Sequence, residues 1–199
     1  MRILAFSDLH RNEAVTRQIV AESRSADILI GAGDFATKGL GLSDTLNILA
    51  KANAPVLMVA GNHDPFDELQ TICDAVPNFT LLDGTGIILG GQCFYGISRE
   101  ISSKKGPPWS EVRSEVAANR LLADCPKDAV LISHSPPYGV VDFQVDGRHE
   151  GSKTLLKTVQ EKEPFLHLCG HVHHCLGMHE YVGKTKVMNL GPSLNWIDL

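Results

Sequence analysis

The chain has 199 residues, of which 43% are hydrophobic and 21% are charged, and its formal net charge is -5. This length and composition are typical of one globular unit, so residues 1–199 are expected to form a single domain. No apolar run is long enough to cross a bilayer, and the acidic balance offers no basic surface for extended nucleic acid. Asp8 and His10 interrupt the first apolar run too early for a signal peptide. We therefore expect a cytoplasmic protein with no membrane partner, and the sequence leaves open whether it forms a homo-oligomer.

The first 75 residues alternate between apolar strands and amphipathic helices. Strands are predicted at residues 2–7, 27–31 and 55–60, and helices at 12–25, 43–52 and 66–75. Ser43 or Asp44 is the predicted N-cap of the second helix. This order predicts βαβ units, in which parallel strands are covered by helices.

From residue 86 the pattern changes. Two short strands at 86–89 and 92–96 flank Gly90 and Gly91, which predicts a tight antiparallel hairpin. Helices are then predicted at 111–122 and 152–162, and strands at 129–133, 165–169 and 187–190. Residues 98–110 and 135–151 are irregular and long enough to be working loops. The whole pattern predicts an α/β protein with both parallel and antiparallel strands.

Side chains able to bind metal follow five of the apolar strands. They are Asp8, His10, Asp34, Asn62, His134, His171 and His173. Because the carboxyl ends of parallel strands meet at one edge of a sheet, we expect these side chains to converge. Gly33, Gly61 and Gly170 precede three of the clusters and allow the backbone to turn sharply there.

The types of side chain indicate the kind of metal. Carboxylates and imidazoles with one amide suit divalent Mn, Fe, Zn or Ni. Seven side chains are more than one ion takes while keeping a position open for substrate. The sequence therefore predicts two divalent metal ions of undetermined identity, with one aspartate shared between them.

The same residues, in the same order, resemble a family signature. Asp8-Leu9-His10, Gly33-Asp34, Gly61-Asn62-His63-Asp64, His134 and Gly170-His171-Val172-His173 are similar to the complete signature of the calcineurin-like metallophosphoesterase superfamily. The resemblance spans Asp8 to His173 and implies a four-layer αββα sandwich of two mixed β-sheets flanked by helices. It assigns Asp8, His10, Asp34 and His173 to one ion. It assigns Asp34, Asn62, His134 and His171 to the other.

The resemblance also implies an activity, the metal-dependent hydrolysis of a phosphoester by attack of a metal-bridged hydroxide. His63 is similar to the catalytic histidine of the family, which would stabilise or protonate the leaving oxygen. Asp64 would orient that ring or support a metal ligand from behind. In the metal-binding segment 169–175, CGHVHHC, a self-contained zinc site is the alternative. Structural zinc ligands usually come as pairs that are a dozen or more residues apart. Of the side chains in this segment, we therefore expect only His171 and His173 to bind metal.

Departures from subfamily patterns narrow the substrate. Gly33-Asp34 is not followed by the Asp-Arg pair of protein serine/threonine phosphatases, and the chain has no room for the segments of a repair nuclease. The stretches SHSPPYG at 133–139 and HEGS at 149–152 look most like small phosphodiesterase-type members, some of which act on cyclic nucleotides. We therefore expect a small phosphodiester substrate. The alternatives are a phosphomonoesterase and a non-catalytic metal-binding scaffold, although no position of the signature is eroded.

Three further residues are candidates for substrate binding. Asn12 follows the first cluster, with helix capping as an equal alternative. Arg148 and His149 lie at the end of the second long loop, with a solvated loop as the alternative. Arg11 occupies a position where many members of the superfamily have glycine, a departure that concerns the local loop shape and not the ligands. The five cysteines have no CxxC spacing and are expected to be reduced thiols.

Overall fold

Two β-sheets lie face to face at the centre of the computed structural model, which describes residues 1–199. The strands are β1 (Arg2–Phe6), β2 (Ile28–Ala32), β3 (Val56–Val59), β4 (Phe79–Leu81), β5 (Thr85–Leu89), β6 (Gln92–Ile97), β7 (Glu100–Ile101), β8 (Val112–Arg113), β9 (Val130–Ser133), β10 (Leu166–Cys169), β11 (His179–Val182), β12 (Thr185–Asn189) and β13 (Asn195–Asp198). The helices are α1 (Glu13–Glu22), α2 (Leu42–Leu49), α3 (Phe66–Ala75), α4 (Glu115–Leu122) and α5 (Lys153–Lys162).

The two sheets differ in strand order, but both have parallel inner strands and both have their antiparallel strands at the edges. The first runs β13-β1-β2-β3-β4 and the second runs β11-β12-β10-β9-β6-β5. The inner strands of each sheet are parallel, and the antiparallel strands β13, β11 and β5 lie at the edges. The ends of β1, β2 and β3 therefore lie along one edge of the first sheet, and those of β9 and β10 along one edge of the second.

Alternate residues of the strands pack on opposite sides, which produces four layers. In β1, Leu4 and Phe6 pack with α1, α2 and α3, whereas Ile3 and Ala5 pack between the sheets. On the far side of the second sheet, Leu131 packs with residues of α4 and α5. The expected four-layer αββα sandwich is confirmed, and the space between the sheets is filled by apolar side chains.

Two predicted helix starts are wrong. Helix α2 has Gly41 as its N-cap, with φ at 74°, and the Ser43 hydroxyl donates to Glu68 instead of capping. Helix α4 begins only at Glu115, where the Ser114 side chain accepts the amide of Ala117. The residues before it form β8, because they pair with β7 in a small separate sheet.

The predicted hairpin is confirmed, and two edge strands were missed. Gly90 and Gly91 have φ angles of 56° and 84° in the turn between β5 and β6. Strands β4 and β13 are short, so neither has a local pattern long enough to be recognised. None of the helices has both the length and the apolar composition to cross a membrane.

Candidate metal centre

The seven side chains predicted to bind metal meet where the two sheets end. We call them the strand-end cluster: Asp8, His10, Asp34, Asn62, His134, His171 and His173. Three groups of side chains, two from the cluster alone and one that also includes His63, have ligand atoms that all lie within 4.8 Å of one another. They are Asp8 with His10 and His173, His10 with Asp34 and His63, and Asp8 with Asp34 and His134. Because the three groups share members, residues as distant in sequence as Asp8 and His173 lie in one place.

The cluster is buried at its base and open on one side. Asp8, Asp34, Asn62 and His134 are between 0% and 6% exposed. The side chain of His173, in contrast, is 60% exposed. Carboxylates this deeply buried need cationic partners or hydrogen-bond donors, and the open side gives a cation from solvent access to them.

Asp34 is the centre of the cluster. Its Oδ2 lies 3.3 Å from His134 Nε2 and 3.5 Å from His10 Nε2, and its Oδ1 accepts the backbone N–H of His63 at 2.8 Å. Burial alone would raise the pKa of Asp34, but the neighbouring His134 outweighs it and lowers that pKa. A carboxylate kept ionised in this position suits the role of an oxygen ligand to a metal cation.

The histidine rings are held from behind by backbone carbonyls. His134 Nδ1 lies 2.9 Å from the carbonyl of Ala32, and His10 Nδ1 lies 3.2 Å from that of Ala36. Each carbonyl can only accept, so each ring carries a proton on Nδ1 and turns Nε2 into the cluster. Burial lowers the pKa of His134, but the carboxylates of Asp34 and Asp8 reverse this and raise it to about 10. The same negative field attracts metal cations.

Asn62 is oriented by a residue that sequence reasoning missed. Its Oδ1 lies 3.1 Å from His134 Nε2, and its Nδ2 donates to Ser110 Oγ at 3.3 Å. That bond fixes which way the amide points, so the oxygen faces the cluster. The donor set and its orientation therefore fit divalent metal ions well.

The backbone of the cluster has an unusual conformation. Asp8, His10, Asp34 and His171 have φ angles of 53°, 42°, 59° and 72°, in the left-handed region that residues with a Cβ seldom adopt. Such strain persists where the surrounding structure enforces it, and it concentrates at functional sites. Arg11, at the position where the resemblance suggests glycine, has φ at 65° and so keeps a conformation typical of glycine.

Two of the predicted glycines are required by close packing. Gly33 has φ at 89°, and a Cβ there would lie 2.7 Å from His134 Nδ1. A Cβ on Gly61 would lie 2.5 Å from the backbone nitrogen of Asp34. Any side chain at either position would push the strand ends apart, so these glycines allow the cluster to form.

His63 lies beside the cluster with its ring fixed on two sides. Its Nδ1 accepts the backbone N–H of Lys38 at 2.9 Å, so the neutral ring carries its proton on Nε2. The ring centroid lies 4.7 Å from that of His10 and 4.5 Å from that of Trp109. Burial lowers the pKa of His63. His63 is therefore presented as a neutral hydrogen-bond donor, and Trp109 is a second neighbour that the sequence did not reveal.

Asp64 has a supporting position rather than a contact with the ring of His63. It is fully buried, and its two oxygens accept the backbone N–H groups of Asp34, Ala36 and Gly61, each at 2.8 Å. These bonds join the turn after β2 to the turn after β3. Of the two roles considered for Asp64, the contacts favour support of Asp34 over orientation of His63.

The segment 169–175 supplies histidines to the cluster, while its cysteines point elsewhere. Cys169 and Cys175 are buried, and their thiols donate to the backbone carbonyls of Met188 and Phe143 at 3.3 and 3.4 Å. Neither thiol belongs to a group that could hold a metal ion. The contacts therefore speak against a self-contained zinc site.

The three candidate substrate residues lie in different settings. Asn12 caps α1, since its side chain accepts the amide of Val15 at 3.2 Å. Arg148 is 69% exposed and pairs with Asp146 at 2.6 Å. His149 donates through Nδ1 to the buried carboxylate of Asp142 at 2.6 Å. Only the last of these is anchored by a buried side chain.

A cavity of about 490 Å³ adjoins the cluster, and we call it the side cavity. It contains one member of the cluster, His171, and is also lined by Tyr138, His149, Lys104 and Lys153. Both long loops contribute to its wall. The side cavity therefore provides open space next to the cluster.

With this geometry established, comparison with known proteins identifies the class. Residues 1–175 match the model of the calcineurin-like phosphoesterase family, so the chain belongs to that family. The UPF0046 protein K07C11.7 of Caenorhabditis elegans is 31% identical over 95% of this chain and 69% of its own length.

Solved structures share the fold at low sequence identity. The protein TT1561 of Thermus thermophilus has a TM-score of 0.76 and 19% identity, with 99% of this chain and 98% of that chain covered. A structure described as a novel archaeal phosphodiesterase has a TM-score of 0.59 and 15% identity, with 96% and 84% covered. The family places this chain among metal-dependent phosphoester hydrolases.

Proposed function

We propose that this chain hydrolyses a small phosphodiester with two divalent metal ions held by the strand-end cluster. The observation that carries the proposal is the convergence of the seven side chains of the strand-end cluster, with Asp34 at their centre and His63 beside them. When bound, a pair of divalent ions would supply charge neutralisation at the phosphoryl oxygens and an activated water at neutral pH. In this proposal Asp8, His10, Asp34 and His173 hold one ion. Asp34, Asn62, His134 and His171 hold the other.

His63 has a separate role in the proposal. Its Nδ1 is engaged by Lys38, so the N–H of Nε2 is free to donate to the leaving oxygen as negative charge develops there. Trp109 packs against the ring and keeps it in one orientation. Asp64 maintains the position of Asp34 through the three backbone amides that it accepts.

A diester is favoured over a monoester because there is room beside the cluster for a second substituent. The side cavity reaches His171, and neither His63 nor Trp109 lines it. The two ester groups of a diester can therefore lie on different walls, one near His63 and the other in the side cavity. The archaeal phosphodiesterase with the same fold is consistent with this preference. Cyclic nucleotides are among the diesters to be screened.

The test is hydrolysis by chelator-stripped protein with Mn²⁺ restored. Bis(p-nitrophenyl) phosphate and p-nitrophenyl phosphate are compared, with Asn62→Ala as the disabled control. Metal-dependent turnover that favours the diester and is lost in the variant supports the proposal. Preference for the monoester makes the chain a phosphomonoesterase. Absence of turnover with any divalent ion, despite bound metal, favours the non-catalytic scaffold.

A further inference from the structure

Asp142 is a buried carboxylate that the proposed reaction does not use. It is 0% exposed and lies in the loop of residues 135–151. Its Oδ2 accepts the backbone N–H groups of Gly139 and Gly151, each at 2.9 Å, and its Oδ1 accepts from His149 Nδ1 at 2.6 Å. A fully buried carboxylate that accepts three hydrogen bonds fixes the positions of the groups that donate to it. In this loop it joins the two ends and holds one imidazole.

The bond to Asp142 determines the chemistry of His149. A carboxylate can only accept, so Nδ1 of His149 carries a proton and Nε2 is left free. The side chain is 39% exposed and lines the side cavity. Its main chain is fixed too, because His149 forms a β-bridge with Phe143. The ring is therefore held in one orientation beside the space that leads to His171.

Tyr138 completes a two-ring wall with His149. Their ring centroids are 5.3 Å apart with the planes tilted by 52°, and Lys153 Nζ lies 5.4 Å from the tyrosine ring. Tyr138 is 39% exposed, so part of its ring faces solvent. Two partly exposed rings side by side, one of them anchored by Asp142, suit contact with another planar ring.

The charges of the side cavity disfavour a second anionic group. Two lysines, Lys104 and Lys153, face three glutamates, Glu100, Glu115 and Glu150. The start of α5 is not free to bind an anion, because Glu115 already accepts the amides of Lys153 and Thr154. Without an excess of positive charge, the side cavity suits a neutral ring rather than a second phosphate.

We propose that His149 and Tyr138 contact a ring in the ester group that stays on phosphorus, and that Asp142 is the positioning residue for His149. The proposal rests on the proposed function, since it concerns the same reaction. His63 lies near Trp109, outside the side cavity, and in the proposed function it donates to the leaving oxygen. The two ester groups of the substrate are thus recognised by different histidines.

Two diesters with the same leaving group separate these roles. Bis(p-nitrophenyl) phosphate retains a ring on phosphorus, whereas methyl p-nitrophenyl phosphate retains only a methyl group. We expect His149→Ala to raise KM for bis(p-nitrophenyl) phosphate about tenfold, which is the effect of losing one polar or ring contact. For methyl p-nitrophenyl phosphate, KM should change less than about twofold. Asp142→Asn keeps an acceptor for the glycine amides but offers His149 a donor, and is expected to show the same selective rise.

A double-mutant cycle and a matched control sharpen the test. If Asp142 acts through His149, the double variant has the same KM as His149→Ala alone, because the two residues then share one effect. Val145→Ala, in the same loop and 85% exposed, is expected to leave both substrates unchanged. Equal changes in KM for both diesters, or additive effects in the double variant, would overturn the proposal.

A binding measurement keeps this test distinct from that of the proposed function. Phenylphosphonate and methylphosphonate are not hydrolysed, and their affinities for Mn²⁺-loaded protein can be compared by calorimetry. We expect tighter binding of the phenyl compound, with that preference lost in His149→Ala. A protein that turns over neither diester but shows this preference would refute only the proposed function. Equal affinities for the two phosphonates would refute the ring-binding inference.

Discussion

The strand-end cluster and the two long loops are built in different ways. The cluster follows directly from apolar strands whose parallel ends meet, so Asp8, Asp34 and His134 converge although they are far apart in sequence. The loops are held by side chains instead. Asp142 joins the ends of one loop, and Asp83 binds Arg99 of the other loop together with Arg113 of β8, which follows it. Strand ends therefore supply the chemistry, and loops supply the fit around it.

The largest expected effect comes from breaking the centre of the cluster. Asp34→Asn keeps the shape of the side chain but removes the charge that His10 and His134 face. We expect loss of bound metal and a fall in kcat/KM of about a thousandfold or more. Metal analysis and hydrolysis of bis(p-nitrophenyl) phosphate measure both. Asp67→Asn, at an exposed position in the first turn of α3 and outside the cluster's seven residues, should change neither quantity. An active Asp34→Asn protein would contradict a shared ligand.

His63→Ala tests whether chemistry can be separated from metal binding. Because His63 is fixed by Lys38 and Trp109 and donates through Nε2, its loss should leave metal content nearly intact. We expect kcat to fall about a hundredfold to ten-thousandfold, the usual contribution of one positioned acid. Loss of metal together with activity would instead identify His63 as a ligand.

The next comparison concerns the loop of residues 98–110 and the strand β8 that follows it. Arg113 is 14% exposed and donates to both oxygens of Asp83, at 2.8 and 2.6 Å. We expect Arg113→Ala to lower the free energy of unfolding by about 1–3 kcal/mol and to lower kcat/KM several-fold without loss of metal. The loop carries Ser110 and Trp109, which hold Asn62 and His63. Denaturant unfolding and steady-state kinetics measure the two effects.

An exposed ion pair provides the matched control for that loop variant. Arg17 and Glu13 lie 3.1 Å apart, but their side chains are 61% and 63% exposed. Arg17→Ala should therefore cost about 0–1 kcal/mol and leave the kinetics unchanged. Equal costs for the two arginine variants would show that the buried network does not stabilise the loop.

The smallest effect distinguishes two roles for Asn12. Its side chain caps α1, so Asn12→Ala should lower the free energy of unfolding by about 1 kcal/mol, whereas Asn12→Ser should keep most of the cap. If capping is its whole role, KM is the same in both variants. A rise in KM in both would assign Asn12 a contact with substrate.

The cluster could be predicted from the sequence because each part of it has a local signal. An apolar strand, a glycine and a metal-capable side chain follow one another at Gly33-Asp34 and Gly61-Asn62, and the fold then brings them together. His167 lies inside the predicted apolar strand 165–169 and has no part in the cluster. It lies within β10, is fully buried and pairs with Ser133 Oγ at 2.7 Å, as expected of a core histidine.

The residues that support the site from the two long loops, Ser110, Trp109 and Asp142, have no comparable local pattern in the sequence. Ser110 meets Asn62 across 48 positions, and Trp109 meets His63 across a similar distance, both from a loop without regular pattern. Asp142 looks like any loop aspartate until the folded loop buries it. Strand β13 likewise gains its structure from pairing with β1. These contacts depend on tertiary packing, which composition and periodicity do not encode.

The most direct test of the central claim is a metal titration. Mn²⁺ is added to chelator-stripped protein while bound metal and hydrolysis of bis(p-nitrophenyl) phosphate are followed together. We predict two ions bound per chain and turnover that appears with the second, because Asp34 faces both His10 and His134, which belong to the two proposed ligand sets. Full activity with one ion, or two bound ions without turnover, would contradict a dinuclear phosphoesterase.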